Sequence, residues 1–254
     1  MKYLDIHCHL NFDDFNSDRK EVIECAQAEG VGMIVVGTDL ESSKKAIEIA
    51  HDYENIWATI GMHPTDEKEK FDLEIYKKLA KNKKVVGIGE CGLDYYRGDY
   101  ENREYQKEVF EKHIEIANES NKPLMLHLRS SASQNAYEDA LEIIKKKSKV
   151  RGNVHFFAGS YGEAKKFFDL GFTISFTGVI TFARNYDEII KNAPLNMIMS
   201  ETDAPYVSPI PYRGKRNEPV FVKEVAHMIA KIRGESDEKV LTQLVYNGRL
   251  LFSI

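Results

Sequence analysis

The sequence predicts an α/β protein, a (β/α)8 TIM barrel, and three observations carry that prediction. Eight short apolar runs alternate with longer amphipathic stretches. Each run is rich in Val, Ile or Leu on both of its faces, as strands of a parallel sheet covered by helices on both sides must be. Eight such units within 254 residues match the usual length of this barrel.

The runs lie at 3–9, 31–37, 56–62, 85–90, 123–128, 153–157, 172–176 and 197–201. Between the first two, Asp18 with Glu21 predicts a capping box and Gly30 a helix stop. The stretches 41–53, 71–80, 101–120, 135–147, 161–170 and 185–192 repeat their apolar residues at helical spacing. Two more helices follow the eighth run. Asn217 with Pro219 starts the first, Gly234 ends it, and Ser236 with Asp237 and Glu238 starts the second. An open doubly wound sheet is the competing arrangement. Its Gly-rich nucleotide loop is missing, because Gly87-Ile88-Gly89 falls inside a run. With no linker or low-complexity segment, residues 1–254 read as a single domain.

Composition narrows the function. There are 35 Lys and Arg against 40 Asp and Glu, a net charge of −5, so a generally basic nucleic-acid coat is disfavoured. Cys8, Cys25 and Cys91 are too few and too scattered for a disulfide framework and read as reduced thiols. The start MKYLDIHCHL lacks a secretory apolar region, and no apolar run is long enough to cross a membrane. The expectation is a cytoplasmic monomer with no membrane association.

Five of the eight histidines cluster at the ends of runs: His7 and His9, His63, His127 and His155. Glu90 closes the fourth run, and Glu201 and Asp203 follow the eighth. In a barrel these ends converge on the face that carries the active site. His7 and His9 are two apart, so both point to one face while Cys8 points away. Each residue alone has a packing explanation, but their joint placement has none. Imidazoles and carboxylates without thiolates suit Zn, Ni, Mn or Fe, and partly Mg, and the set is large enough for two ions sharing a carboxylate. His51, His113 and His227 fall in helical patterns and read as structural. Arg129 and the loop Arg213-Gly214-Lys215-Arg216-Asn217, ahead of a helix, suggest an anionic substrate held by Arg129, Lys215, Arg216 and Asn217.

The ordered motifs resemble the TatD family of metal-dependent deoxyribonucleases, within the amidohydrolase-like metal-dependent hydrolases. They are Asp5-Ile6-His7-Cys8-His9-Leu10, Gly61-Met62-His63-Pro64, Gly89-Glu90-Cys91-Gly92-Leu93-Asp94-Tyr95-Tyr96, His127-Leu128-Arg129, His155-Phe156-Phe157-Ala158-Gly159, Glu201-Thr202-Asp203-Ala204-Pro205-Tyr206 and Arg213-Gly214-Lys215-Arg216-Asn217-Glu218-Pro219. Ala158 departs from the hydroxyl residue of many relatives. The resemblance implies two divalent ions (Mg, Mn, Zn or Ni): His7, His9 and Asp203 on one, His127 and His155 on the other, with Glu90 bridging.

The expected activity is phosphodiester hydrolysis in single-stranded or frayed DNA, as a 3'-5' exonuclease. Asp203 would be the general base and His63 would bind phosphate or serve the leaving oxygen, with Glu90 completing the catalytic set. Glu201 is either a partner that orients a ligand histidine or a structural ion pair. Tyr95, Tyr96 and Tyr206 are candidates for base stacking. The competing activity on the same metals is amide or ester hydrolysis, including aminoacyl esters.

Overall fold

All eight expected strands form and pair in chain order in one parallel sheet. They are β1 (Tyr3–Cys8), β2 (Val31–Val36), β3 (Ile56–Ile60), β4 (Val85–Asp94), β5 (Leu124–Arg129), β6 (Gly152–Val154), β7 (Thr173–Phe176) and β8 (Ile198–Ser200). The computed structural model describes residues 1–66, 70–97 and 102–254. The ring closes between β1 and the segment after β8, through a Cys8–Ala204 bridge. His9 N donates to Ala204 O at 2.7 Å and Asp203 N to His7 O at 2.9 Å. The seam therefore holds three of the expected ligands in register.

Helices α1 (Arg19–Ala28), α2 (Leu40–Asp52), α3 (Leu73–Leu79), α4 (Arg103–Ser120), α5 (Ala136–Lys147), α6 (Tyr161–Asp169) and α7 (Asp187–Asn192) cover the sheet. Then α8 (Val222–Arg233) and α9 (Asp237–Phe252) complete the chain. The expected start of α4 at Glu101 lies outside the described residues. Among the described residues no helix is long and apolar enough to cross a membrane.

Three expected boundaries change for identifiable reasons. Asp18 precedes α1 but does not cap it, because its carboxylate pairs with Arg216 at 2.9 and 2.7 Å. Asn217 does not cap α8. It is fully buried under the loop, and α8 starts after a 3-10 turn at Pro219–Phe221. Strand β4 runs four residues past Glu90, with a register irregularity between Ile88 and Cys91.

A similar irregularity between Asp5 and Cys8 governs β1. Below it, Leu4 and Ile6 join Ile34, Val36, Val86, Met125 and Met199 in one buried cluster. These residues come from opposite sides of the ring, so they meet in the barrel interior, which Leu251 and Phe252 of α9 close. Above it, His7 and His9 take over the inward face.

Candidate metal centre

The strand ends bring all five expected histidines together with Glu90 and Asp203 at the mouth of the barrel. Glu90 stands at the middle, and its two oxygens face different partners. Oε1 lies 2.8 Å from His127 Nδ1 and 2.9 Å from His155 Nε2. Those two nitrogens are 3.2 Å apart. Oε2 lies 3.4 Å from His7 Nε2 and 3.6 Å from His9 Nε2. Asp203 Oδ1 closes that second set, 3.7 Å from His7 and 3.4 Å from His9.

Donor atoms bound to one small divalent ion at about 2.0–2.2 Å lie roughly 3–3.5 Å apart. Both sets approach that spacing, and all their donors are imidazole nitrogen or carboxylate oxygen. The residues present therefore fit a divalent metal.

Burial shapes the charges. Glu90 is 3% exposed. Burial opposes its ionisation, but His155, His63 and His7 around it hold its carboxyl well below the usual range. Burial also opposes the charge on Asp203, and His9, His7 and His155 again win, keeping it ionised. His7 is pushed down by burial and by His155. His155 and His9 are pushed up despite burial, His155 by Glu90 and Glu201, His9 by Asp203 and Glu90.

His63 has a different character. Its Nε2 is 3.5 Å from Glu90 Oε1, while Thr65 N donates to its Nδ1 at 3.2 Å. With Nδ1 accepting, the ring proton of the neutral form sits on Nε2, aimed into the mouth. Burial and the neighbouring His127 lower its pKa to about 3, so it stays neutral.

Several supporting residues escaped the sequence reading. Asp94 Oδ2 holds His127 Nε2 at 3.0 Å, which leaves Nδ1 for Glu90 and a metal. Its even spacing from Glu90 along one strand was the available signal. Asp5 accepts from Thr202 N at 2.9 Å and from the Thr202 hydroxyl, fixing the turn that presents Asp203 at φ 56°. Thr65 carries no sequence signal, because only the loop conformation places it.

Glu201 is fully buried behind the rings of His7 and His155, which stack at 3.9 Å. Its carboxylate accepts from Phe156 N at 2.6 Å and from Ser175 Oγ at 2.9 Å, and lies 3.5 Å from His155 Nδ1. Cys8 and Cys91 turn away and are buried, as alternation requires. His51, His113 and His227 stay out of the centre. His113 accepts from Met62 N at 3.0 Å, beside His63.

The basic loop is a correction. Arg213 lies over the Phe182 ring. Arg216 makes a two-pronged pair with Asp18 and sits on Phe15. Asn217 is fully buried and donates to Thr202 O at 2.9 Å and to Tyr206 O at 2.6 Å. Arg216 and Asn217 thus hold the loop against the barrel and do not face the mouth. Lys215 is exposed on the same loop, and it too lies outside the lining of the mouth. Among the described residues the cations that line it are Arg129 and Arg97, the second overlooked in the sequence. The cavity they border has a volume of about 1120 Å³. Tyr95 is buried and donates to Asp139 at 2.7 Å, so it is not available for stacking.

Comparison with known proteins decides the family. The model of TatD related DNases matches residues 4–253. The chain belongs to the TatD family. This TatD protein is 39% identical to a Bacillus subtilis relative described as an uncharacterized metal-dependent hydrolase, YabD, over 98% of both chains. It is 34% identical to a Klebsiella pneumoniae protein described as the 3'-5' ssDNA/RNA exonuclease TatD, over 98% of this chain and 97% of that one. Among solved structures it superposes on YjjV, a TatD homologue of Escherichia coli K12, with a TM-score of 0.91 and 28% identity, over 100% of this chain and 98% of that one. This TatD protein is accordingly a metal-dependent hydrolase acting on ester bonds.

Proposed function

We propose that the enzyme hydrolyses phosphodiester bonds in single-stranded or frayed DNA, as a 3'-5' exonuclease with two divalent ions. The observation that carries this reading is Glu90, whose two oxygens each belong to a separate set of nitrogen and oxygen donors. His7, His9 and Asp203 would hold one ion and His127 and His155 the other, with Glu90 shared. When bound, the ions would lower the pKa of a water and offset charge on the phosphate oxygens. Mg, Mn, Zn and Ni all suit such donors.

The side chains divide the remaining work. Asp203, ionised and at the edge of the mouth, takes the proton from the attacking water. His63, neutral with its proton on Nε2, donates a hydrogen bond to a phosphate oxygen. Asp94 and Glu201 steady His127 and His155 from behind. Arg129 and Arg97 place the phosphates without reading sequence. The Klebsiella pneumoniae relative supports both the substrate and the direction.

The test is hydrolysis of end-labelled single-stranded DNA with Mg, Mn or Zn, with and without EDTA. Metal-dependent shortening from the 3' end supports the reading. No cleavage by protein shown to hold two ions would overturn it and turn attention to amide and carboxylic-ester substrates.

A further inference from the structure

The mouth of the barrel is asymmetric. At the β1–β8 seam stand Phe12 and Tyr206, with ring centroids 6.4 Å apart in edge-to-face contact. Phe12 is itself stacked on His9 at 4.4 Å. Tyr206 is 51% exposed, although it lines the cavity. Its backbone bonds to Asp203 and Asn217, and its ring meets only His9 and Phe12 among the ring contacts of the described residues. A single exposed aromatic is ordinary on a surface, but this one lines the cavity and leaves its ring open to whatever enters it.

Across the ring, at the ends of β4 and β5, the cavity is lined by Arg97 and Arg129. Arg129 Cζ lies 4.0 Å from the centroid of the Tyr96 ring, a contact that holds its guanidinium at the rim. Carboxylates lie along the arc that starts at the seam: Asp13 and Asp14 follow Phe12 directly, and Asp39 lines the cavity after β2. A chain of phosphates is favoured over the arginines and repelled near the acidic side. An end of a strand, with a flat base and a neutral hydroxyl, suits the aromatic side.

We propose that Phe12 and Tyr206 form a stacking subsite for the terminal nucleobase of a single strand, while Arg97 and Arg129 hold the phosphates of the chain behind it. The scissile phosphate then lies between the two walls, over Glu90. The subsite selects a strand end by stacking, which every base can do, so the enzyme takes ends with little sequence preference. This rests on the nuclease reading and adds where each part of the strand lies.

The experiment uses ten-nucleotide single strands labelled at the 5' end, carrying either a normal or an abasic 3'-terminal nucleotide, with Mn. The wild type should favour the normal end by about tenfold in kcat/KM, as expected for one lost base stack. Tyr206→Ala should abolish that preference, and Tyr206→Trp should restore it. Arg97→Gln should lower the slope of log(kcat/KM) against log(salt) by about one. A preference for the normal end that Tyr206→Ala leaves intact, or a salt slope that Arg97→Gln leaves unchanged, would overturn the proposal while the nuclease reading stands. Failure of the wild type to cleave either strand would remove both.

Discussion

The two ends of the barrel bury charge in opposite ways. At the N-terminal end, Lys84 Nζ donates to Tyr53 O, Glu54 O and Ile56 O at 2.6, 3.2 and 3.1 Å. Lys122 Nζ likewise donates to Ala80 O, Asn82 O and Val85 O. Each ammonium has three hydrogens and meets three carbonyls, so the chain satisfies itself. At the C-terminal end five imidazoles crowd around Glu90 and Asp203, and Nε2 of His7 and of His9 lies 3.4–3.7 Å from those carboxylates, longer than an ordinary N–H···O bond. Buried polar groups are normally well paired, and pairing this loose costs stability. The closed arrangement serves the fold. The open one converges on a space that an external cation fits.

The sharpest test of that contrast is Asp203→Asn. The amide neither accepts a proton well nor ligates a cation as a carboxylate does, so hydrolysis should fall by about a thousandfold. Steady-state rates at saturating Mn check this, and a loss under tenfold would remove Asp203 from the mechanism. Next in size is the response to metal. An ion at a hundred times its dissociation constant stabilises by about 2.7 kcal/mol. For a chain of this length that raises Tm by about 5–10 °C. Calorimetry with Mn and with EDTA should show this rise in the wild type and little of it in Glu90→Gln, where both donor sets lose a charge. Equal melting with and without metal would mean that the crowded end is closed after all.

The contrast between the ends also explains what could be read in the sequence. The strands were legible because burial on both faces leaves continuous apolar runs such as Val31–Val36. The histidines at the mouth were legible because topology alone sends strand ends to one place. The basic loop misled because charge density in the sequence does not say which way a side chain turns. Arg216 found Asp18, 198 residues away in the chain, and that pairing exists only once the barrel closes. Asp94 was overlooked because β4 continues past the point where the apolar run ends, so its even spacing from Glu90 was not read as lying on one strand. Thr65 and His113 act through Nδ1 or Nε2 of a ring, a detail of rotamer and tautomer that no residue pattern records.

His113 extends the comparison to the middle layer. Its Nε2 accepts from Met62 N and its Nδ1 donates to Val109 O at 2.8 Å, so the ring must be neutral. Burial lowers its pKa from 6.5 to about 4. The unfolded chain therefore takes up this proton first, and stability is lost as pH falls from about 6.5 towards 4. By pH 5 the loss from this group is about 2 kcal/mol. Urea unfolding of wild type and His113→Gln should converge as the pH is lowered, since Gln accepts from Met62 N without titrating. Parallel curves would show that His113 is not held neutral.

The smallest expected effect belongs to the closed end. In Lys122→Met the methylene stem is kept and three carbonyls lose their donor. Burial already lowers the Lys122 pKa, so the charge itself contributes little that the variant would forfeit. Because the site is only half-buried, water replaces part of the loss, and the cost should be about 1 kcal/mol. The same cost should appear with Mn and with EDTA, and metal-dependent hydrolysis should be unchanged, because Lys122 touches neither donor set. A cost that changed with metal would mean that the two ends of the barrel are coupled through β4 and β5. Strand β4 carries Val85, whose carbonyl Lys122 holds, and Glu90 five residues further on, while β5 begins two residues after Lys122 and carries His127.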